Sequence, residues 1–259
     1  MTKKYFGFIT VRTSSSRLPN KCLLPFGEGN VLEHIISRAK YYQIEPIVTT
    51  SSEKNDDIIE DISSKAGVEC FRGSLRNKLQ RWLNCADTYN IDYFHTIDAD
   101  DPFFDGNLMK KSLDLLVNGN FDLVKPSASS SSGGASVGYS LTRDIIEKAC
   151  SGLDKNQDTE MFWIFIESLK KNKITTLPDT NLIHKRQRLT LDYQEDYWLL
   201  SFIQRVCGNM CSRSQIDQLF TQNPDLYQIN WFRNSEWSLN QKKIIKNENL
   251  FRNENLFRN

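Results

Sequence analysis

Apolar and polar positions in the first half of the chain follow two alternating periods. Short apolar runs bounded by glycine, proline or polar residues are typical of buried strands, and apolar residues three and four positions apart are typical of amphipathic helices. The pattern predicts strands at 5–11, 45–50, 68–71, 93–97 and 123–125, and helices at 31–42, 56–66, 79–89 and 108–117. Repeated strand–helix–strand units favour an α/β fold with a mainly parallel sheet and helices on both faces.

The alternation weakens beyond residue 126. The segment 127–134 consists of serine, alanine and glycine, which predicts either a flexible connection or a mobile loop over a ligand site. Further along, the pattern predicts a strand and a helix within 138–150, an aromatic-rich helix at 158–171, a strand end at 189–192 and a helix at 197–207. Residues 248–259 contain Glu-Asn-Leu-Phe-Arg-Asn twice in succession. Two copies are too few for a solenoid and indicate a duplicated terminal segment.

Length, charge and cysteine content exclude several classes of protein. The 259 residues suit one large α/β domain, or one domain with a small appendage. A formal net charge of +1 gives no strong field toward nucleic acid or an acidic membrane, so neither is an expected partner. No apolar run approaches the ~20 residues that span a bilayer, and a signal peptide's apolar stretch is missing from the first residues. The six cysteines lack zinc-site spacing, so we expect a cytoplasmic protein with reduced cysteines.

A positively charged polar loop directly follows the first predicted strand. It comprises three cations, Arg12, Arg17 and Lys21, and four small hydroxyl residues, Thr13, Ser14, Ser15 and Ser16. Backbone N–H groups, hydroxyls and fixed positive charge together suit one anionic ligand, such as a triphosphate. The paired glycines and the Gly-Lys-Ser/Thr ending of a P-loop are absent. The alternative interpretation is an ordinary basic turn on the surface.

Acidic residues follow two later predicted strands. Asp98, Asp100 and Asp101 come at the end of the strand at 93–97, and Asp192 ends the segment Arg-Leu-Thr-Leu-Asp. The carboxyl ends of strands in an open α/β sheet are where ligands bind. Carboxylates spaced in this way can hold Mg²⁺ together with substrate phosphates and water. The alternative for the first group is an acidic turn before a proline, with Asp101 or Asp105 capping the next helix.

The cationic loop and the two acidic segments together predict a metal-assisted nucleotide site. Phosphoryl and nucleotidyl transfer need cations on the phosphates and a metal ion near the reacting oxygens. Mg²⁺ is therefore the expected cofactor, and Asp98, Asp100, Asp101 and Asp192 are the residues that could hold it.

Five ordered motifs in the chain resemble those of CTP-dependent sugar-acid cytidylyltransferases. They are 8–21, 31–35, 71–81, 98–102 and 188–192, and the segment 223–230 resembles the closing segment of that family. The nearest group is the spore-coat-polysaccharide cytidylyltransferases, which are related to the enzymes that activate octulosonic and nonulosonic acids. The resemblance extends from about residue 5 to about residue 232. It implies a Rossmann-like fold of the nucleotide-diphospho-sugar transferase type, often dimeric.

The resemblance also implies roles for individual residues. Positions 12, 17 and 21 match those that hold the CTP phosphates, and positions 100 and 192 match the metal ligands. The resemblance therefore implies Asp100 and Asp192 as the Mg²⁺ ligands, and Arg12, Lys21 and Asp100 as the catalytic residues. The expected nucleotide- or substrate-binding residues are Arg12, Ser14, Ser15, Ser16, Arg17, Lys21, Arg81 and Asp98. We expect 1–232 to form the cytidylyltransferase domain, with 126–188 as its substrate or dimerisation portion and 233–259 as a tail. The expected partners are CTP, an acidic sugar acceptor and a second copy of the chain.

The chain departs from the family pattern at several positions. Thr10 stands where glutamine is common, Asn20 where glycine is common, and Ser136 and Gly138 where acidic residues are common. Two rival interpretations stay open. The first is a metal-dependent glycosyltransferase, because Asp98-Ala-Asp100 also fits its Asp-x-Asp motif, although such an enzyme has no leaving pyrophosphate for the cationic loop to hold. The second is a non-catalytic nucleotide-binding subunit.

Overall fold

A seven-stranded mixed sheet forms the centre of the molecule. A computed structural model describes residues 4–127, 137–154, 157–179, 186–240 and 242. The sheet has the order β5-β4-β1-β6-β8-β7-β9. Its strands are β1 (Phe6–Thr10), β4 (Glu45–Ser51), β5 (Glu69–Gly73), β6 (Tyr93–Asp98), β7 (Leu123–Lys125), β8 (Ser140–Thr142) and β9 (Ile174–Thr176). Strand β8 runs antiparallel to both of its neighbours, and the other pairings are parallel. The predicted α/β fold is confirmed.

Helices cover both faces of this sheet. They are α1 (Val31–Tyr41), α2 (Asp57–Lys65), α3 (Lys78–Tyr89), α4 (Gly106–Asn118), α5 (Arg143–Cys150), α6 (Phe162–Glu167), α7 (Gln194–Cys207) and α8 (Arg213–Gln222), followed by α9 over 233–240. A two-stranded ribbon, β2 (Pro25–Phe26) and β3 (Gly29–Asn30), precedes α1. Among the described residues, none of the helices combines the length and apolar character that crossing a membrane requires.

Local sequence explains where the helices begin. Asn30 and Glu33 form a capping box at the start of α1, so two backbone N–H groups that helix formation leaves free are both bonded. The side chain of Asp105 accepts from two backbone N–H groups at the start of α4. Asp105, rather than Asp101, therefore has the capping role that the sequence allowed for either residue.

Alternating side chains of the central strands supply the two halves of the core. On β1, Phe8 faces one side of the sheet and Ile9 faces the other, and both are fully buried. The ring of Phe8 stacks on Phe94 with centroids 3.8 Å apart, and Trp82 of α3 packs edge-on against Phe94. The opposite half of the core contains Ile9 and residues of α1, α4, α7 and α8. Consequently, the strand period found in the sequence corresponds to a sheet buried on both faces.

One predicted helix is shorter than expected, and one predicted strand is wrong. The helix expected at 158–171 spans only Phe162–Glu167, because Glu160 N bonds to Asp158 Oδ1 and Thr159 N bonds to the distant Arg76 carbonyl. The segment 189–192 is not a strand. Its Leu191 N–H bonds to Asp100 O at 2.6 Å, and the next N–H, of Asp192, bonds to a side chain.

The sequence duplicated within 248–259 lies outside the described residues, as do 128–134 of the predicted loop and Ser136. Residues 233–240, predicted to belong to the tail, are helical. The folded part of the chain therefore extends past residue 232.

Arg38 of α1 is a fully buried cation that joins three segments. It donates to the carbonyl oxygens of Phe104 and Cys211, each at 2.9 Å, and no carboxylate pairs with it among the described residues. Its guanidinium also lies 5.3 Å from the Tyr42 ring centroid. Burial lowers the pKa of Arg38, and the carbonyl dipoles replace the water that the cation loses.

We expect Arg38→Ala to lower the free energy of unfolding by about 3 kcal/mol, because it leaves buried carbonyls without donors. Arg143→Ala is the control, since Arg143 of α5 forms solvent-facing ion pairs with Asp87 of α3 and Glu147 of α5, and such pairs contribute little. Urea denaturation followed by circular dichroism measures both variants. Equal losses in the two variants would contradict a structural role for Arg38.

Candidate active site

A cavity of about 710 Å³ opens at the carboxyl ends of β1 and β6. Thr10 and Asp98, the last residues of these two strands, are register partners and both line the cavity. Because parallel strands end at the same sheet edge, the loops that follow them meet here. The cavity is lined by Arg12, Ser14, Ser15, Ser16, Arg17 and Lys21 of the first loop, and by Asp98, Asp100, Asp101 and Asp192. The structure thus brings together the cationic loop and both acidic segments.

Lys21 lies between the two predicted metal ligands. Its Nζ is 3.0 Å from Asp100 Oδ2 and 3.0 Å from Asp192 Oδ1, and it also donates to the Leu191 carbonyl at 2.9 Å. Although burial lowers the pKa of Lys21, the two carboxylates raise it above the ordinary value. Lys21 is therefore charged at neutral pH and offsets the repulsion between two closely placed acids.

Asp192 is the most strongly held carboxylate of the cavity. Burial raises its pKa, but Lys21 and Arg17 outweigh that effect and hold the pKa at about 2. Arg17 Nη2 lies 2.6 Å from Asp192 Oδ1. By contrast, burial raises the pKa of Asp100 above its ordinary value even though Lys21 opposes that shift. The pKa of Asp192 is therefore lowered and the pKa of Asp100 is raised, so Asp192 stays ionised to a lower pH than Asp100.

A buried ion pair fixes the backbone of Asp192. Arg188 and Asp196 are both fully buried, and the Arg188 guanidinium donates to both oxygens of Asp196, at 2.9 and 3.1 Å. Asp196 Oδ2 also accepts from the backbone N–H groups of Asp192 and Tyr193. This pair replaces the predicted strand as the feature that aims Asp192 into the cavity.

The acidic motif at the end of β6 brings three carboxylate groups close enough together to coordinate one divalent cation. Asp98, Asp100 and Asp101 each contribute one carboxylate oxygen, and these oxygens lie within 4.8 Å of one another. Asp101 is buried, and its Oδ1 has no hydrogen-bond partner in the described part of the chain. Burial, followed by the charges of Asp100 and Asp98, raises the pKa of Asp101 well above its ordinary value. Hard oxygen donors at this density fit Mg²⁺.

Several residues that line the cavity did not emerge from the sequence. Lys78, at the start of α3, is 5% exposed and lies 3.3 Å from Asp98 Oδ1 and 3.6 Å from Glu160 Oε1. Glu160 in turn lies 3.1 Å from Arg12 Nη2. The aromatic members of the wall are Tyr139, Phe162, Trp163 and Trp237. No local motif identifies these residues. They are distant in sequence from the loops after β1 and β6, and only the folded chain brings them to the cavity.

Arg81 does not line the cavity. It is buried behind the wall, where its Nη1 donates to the Ser74 carbonyl at 2.6 Å, and burial lowers its pKa to about 10. His34 of α1 is buried, and its Nε2 donates to the Pro102 carbonyl oxygen at 2.9 Å, whereas Trp198 of α7 is 58% exposed. Neither residue lines the cavity.

Backbone geometry explains two of the positions, Asn20 and Gly138, at which the chain departs from the family pattern. Asn20 has a φ of 55°, in the left-handed region that favours glycine and that asparagine tolerates better than most residues. Gly138 has a φ of 84°, and a Cβ there would collide with the Thr96 carbonyl oxygen. An acidic side chain at position 138 would therefore require a different backbone path.

Asp56 anchors the cationic loop from outside the cavity. It is 2% exposed, and its Oδ1 accepts from Thr13 N at 2.8 Å and Thr13 Oγ1 at 2.7 Å, while Ser51 Oγ donates to Oδ2. Burial raises the pKa of Asp56, but these hydrogen bonds outweigh that effect and hold the pKa below its ordinary value. The anchored residue, Thr13, lies between Arg12 and Ser14.

Comparison with known proteins relates most of this chain to sequences and structures already described. The cytidylyltransferase family model matches residues 7–200. An uncharacterized protein of Methanocaldococcus jannaschii is 32% identical over 236 residues, covering 88% of this chain and 94% of that protein. The spore coat polysaccharide biosynthesis protein SpsF of Bacillus subtilis is 27% identical over 233 residues, covering 84% and 94%. A solved cytidylyltransferase structure from Leptospira borgpetersenii serovar Hardjo-bovis is 28% identical with a TM-score of 0.77, covering 87% and 98%.

We expect Asp56→Ala to lower the free energy of unfolding by about 2–3 kcal/mol at pH 7, because Thr13 loses its acceptor. A carboxylate with a depressed pKa stabilises the fold above its unfolded-state pKa and loses that contribution as pH falls. The difference between wild type and Asp56→Ala should therefore shrink below about pH 4. Urea denaturation at several pH values measures this difference.

Asp57→Ala is the matched control, since Asp57 is an exposed neighbour that pairs with Arg72 at 2.6 Å. A loss in Asp56→Ala that stays constant from pH 7 to pH 3 would contradict a stabilising role for the ionised form.

Proposed function

Because the chain belongs to the cytidylyltransferase family and is a nucleotidyltransferase, we propose that it transfers CMP from CTP to an acidic sugar. The acceptor would be of the nonulosonic or octulosonic acid type, and the product would serve surface polysaccharide or glycan synthesis. The observation that carries the proposal is the ammonium of Lys21 between the carboxylates of Asp100 and Asp192. This arrangement puts phosphate-binding charge directly beside the predicted metal ligands. The similarity to SpsF supports the proposed link to polysaccharide synthesis.

The proposed reaction is an in-line displacement at the α-phosphorus of CTP. The acceptor hydroxyl oxygen forms a bond to that phosphorus, and the bond between the phosphorus and its bridging oxygen to the β-phosphate breaks. Pyrophosphate leaves with the bonding electron pair, and the hydroxyl proton is released to water. The products are the CMP-linked sugar and pyrophosphate.

Arg12, Arg17 and Lys21 would stabilise the charge that develops on the leaving pyrophosphate. All three side chains line the cavity and are held by other groups, with Arg12 Nη1 donating to the Leu75 carbonyl at 3.0 Å. Donors that are already oriented need little reorganisation when negative charge forms, which is the main source of electrostatic catalysis. Their present carboxylate partners keep them extended into the cavity.

Asp100 and Asp192 are the proposed ligands of a divalent cation, and one oxygen each of Asp98 and Asp101 lies within 4.8 Å of an oxygen of Asp100. The chemistry that Mg²⁺ supplies in such a site is a lowered pKa of the acceptor hydroxyl and neutralised charge on the α-phosphate. The donor set fits this ion, because it offers several carboxylate oxygens and leaves room for phosphate and water. In that state Lys21 would exchange part of its carboxylate contact for substrate phosphate.

A pyrophosphate-release screen tests the proposed function. CTP, ATP, GTP and UTP are each incubated with Mg²⁺ and a panel of acidic sugars, with neutral sugars as the control acceptors. We expect release that requires CTP and an acidic sugar together. Release with a neutral sugar alone, or with another nucleotide in preference to CTP, would contradict the proposed substrates.

Lys21→Met and Asp100→Asn test the proposed chemistry. We expect each to reduce kcat about 10²–10³-fold, because each removes one charged contact to the reacting phosphates or their metal ion. Circular dichroism spectra should match those of wild type. Lys40→Met is the control, since Lys40 is an exposed residue of α1 that donates to the Ala66 carbonyl. Near-normal turnover in a folded Lys21→Met or Asp100→Asn variant would overturn the assignment of that residue.

A further inference from the structure

The helix α9, over 233–240, is fastened to the active-site side of the molecule. Arg233 donates to both oxygens of Glu195 in α7, at 3.1 and 2.9 Å. Asn234 Oδ1 accepts from Arg188 Nη1 at 3.0 Å. The guanidinium of Arg233 also lies 4.8 Å from the ring centroid of Tyr193. Three separate contacts therefore fix the first turn of α9 beside the residues that position Asp192.

The chain that enters α9 is fixed to the same buried network. Asn230 is fully buried, and its Nδ2 donates to the Arg188 carbonyl at 2.8 Å and to Asp196 Oδ1 at 2.9 Å. Asp196 also holds the backbone of Asp192. A single set of buried polar groups thus orients both a proposed metal ligand and the start of the last helix. Buried networks of this kind impose one geometry, because a broken member leaves its partners unpaired.

This anchoring puts Trp237, one turn further along α9, into the cavity wall. The Trp237 ring centroid lies 6.0 Å from the guanidinium of Arg188, on the side of the cavity occupied by Asp192. The family model ends at residue 200, so α9 lies outside the matched region. Trp237 thus lies in a part of the cavity wall outside the residues that the family model matches.

The chemistry of the indole suits the acceptor better than the triphosphate. The Trp237 indole has no charge and only one N–H donor, whereas the proposed phosphate contacts, Arg12, Arg17 and Lys21, are cations that line the same cavity. Aromatic side chains in ligand cavities typically pack against apolar surface, and a sugar ring presents such surface on its C–H face. The position beside Asp192 is also where the acceptor hydroxyl must approach the proposed metal ligands.

We propose that Trp237 is a specificity-determining residue that packs against the ring of the acidic sugar acceptor, and that Arg233 and Asn234 position it. This inference rests on the proposed function, because it takes the acceptor to be a sugar. It adds α9 to the acceptor site and explains why a helix beyond residue 232 is tied to the network that holds Asp192.

Steady-state kinetics with the acceptor found in the pyrophosphate-release screen test the role of Trp237. We expect Trp237→Ala to raise the acceptor KM about tenfold or more and to change the KM for CTP less than about twofold. Trp237→Phe should recover the acceptor KM to within about threefold, because it keeps an aromatic face. Leu239→Ala is the control on the same helix, since Leu239 is 59% exposed, and it should behave as wild type.

A double-mutant cycle tests whether α9 acts through Trp237. Arg233→Ala alone should raise the acceptor KM about threefold or more, and Arg233→Ala combined with Trp237→Ala should be no worse than Trp237→Ala alone. A merely structural role of Arg233 would instead give additive losses and an equal change in both KM values. Thermal unfolding of each variant shows that the kinetic comparison is made on folded protein.

The outcomes separate this inference from the proposed function. Absence of pyrophosphate release by the wild type with every acidic sugar overturns the proposed function and the inference with it. Release by the wild type, with an unchanged acceptor KM in Trp237→Ala, overturns the inference alone. Equal increases in the KM for CTP and for the acceptor also overturn it, because Trp237 would then contact the nucleotide.

Discussion

The contact of Lys21 with Asp100 and Asp192 is the constraint on which the site depends. Two carboxylates that approach each other in a poorly hydrated cavity repel strongly unless a cation lies between them. Lys21 supplies that cation from the first loop, at 3.0 Å from each acid. The loop after β1 and the segment before α7 are therefore held together by charge as well as by the sheet. A bound divalent cation could take over this neutralising role only if Lys21 turned toward a new anion, and the substrate phosphates provide one.

The supports of the site lie outside the cavity and are almost fully buried. Asp56 fixes Thr13 beside the cationic loop, and the Arg188–Asp196 pair fixes the backbone of Asp192. The acid in each support is almost fully buried, since Asp56 is 2% exposed and Asp196 is 0% exposed. Removing one partner from such a contact costs more than the contact contributes, because a buried polar group is left unpaired. A rigid frame thus supports the more exposed ion pair of the cavity, Arg12 with Glu160, whose side chains are 27% and 45% exposed.

Sequence periodicity predicted the fold because the central strands and most helices have strong, local patterns. Strand β1 and helix α1 differ from their predicted bounds by no more than one residue at either end. The cationic loop and the acidic motif were also visible, because each follows directly on a buried strand. The segment 189–192 was misjudged as a strand, since its apolar alternation arises from burial against side chains rather than from sheet pairing. Lys78, Glu160 and Trp237 could not be found locally, because each reaches the cavity only through long-range packing.

The distribution of charge around the cavity bears on how substrates enter. Within the described residues, Arg12, Arg17, Lys21 and Lys78 each have a carboxylate neighbour, although the exposure of those carboxylates differs widely. Glu160, which faces Arg12 and Lys78, has a 45% exposed side chain, whereas the side chain of Asp192 is 2% exposed. An exposed ion pair is weakened by water and exchanges its partner at little cost, whereas a buried pair does not. Incoming anions should therefore compete with Glu160 for its cations more readily than with Asp192, which leaves Asp192 in place as substrate binds.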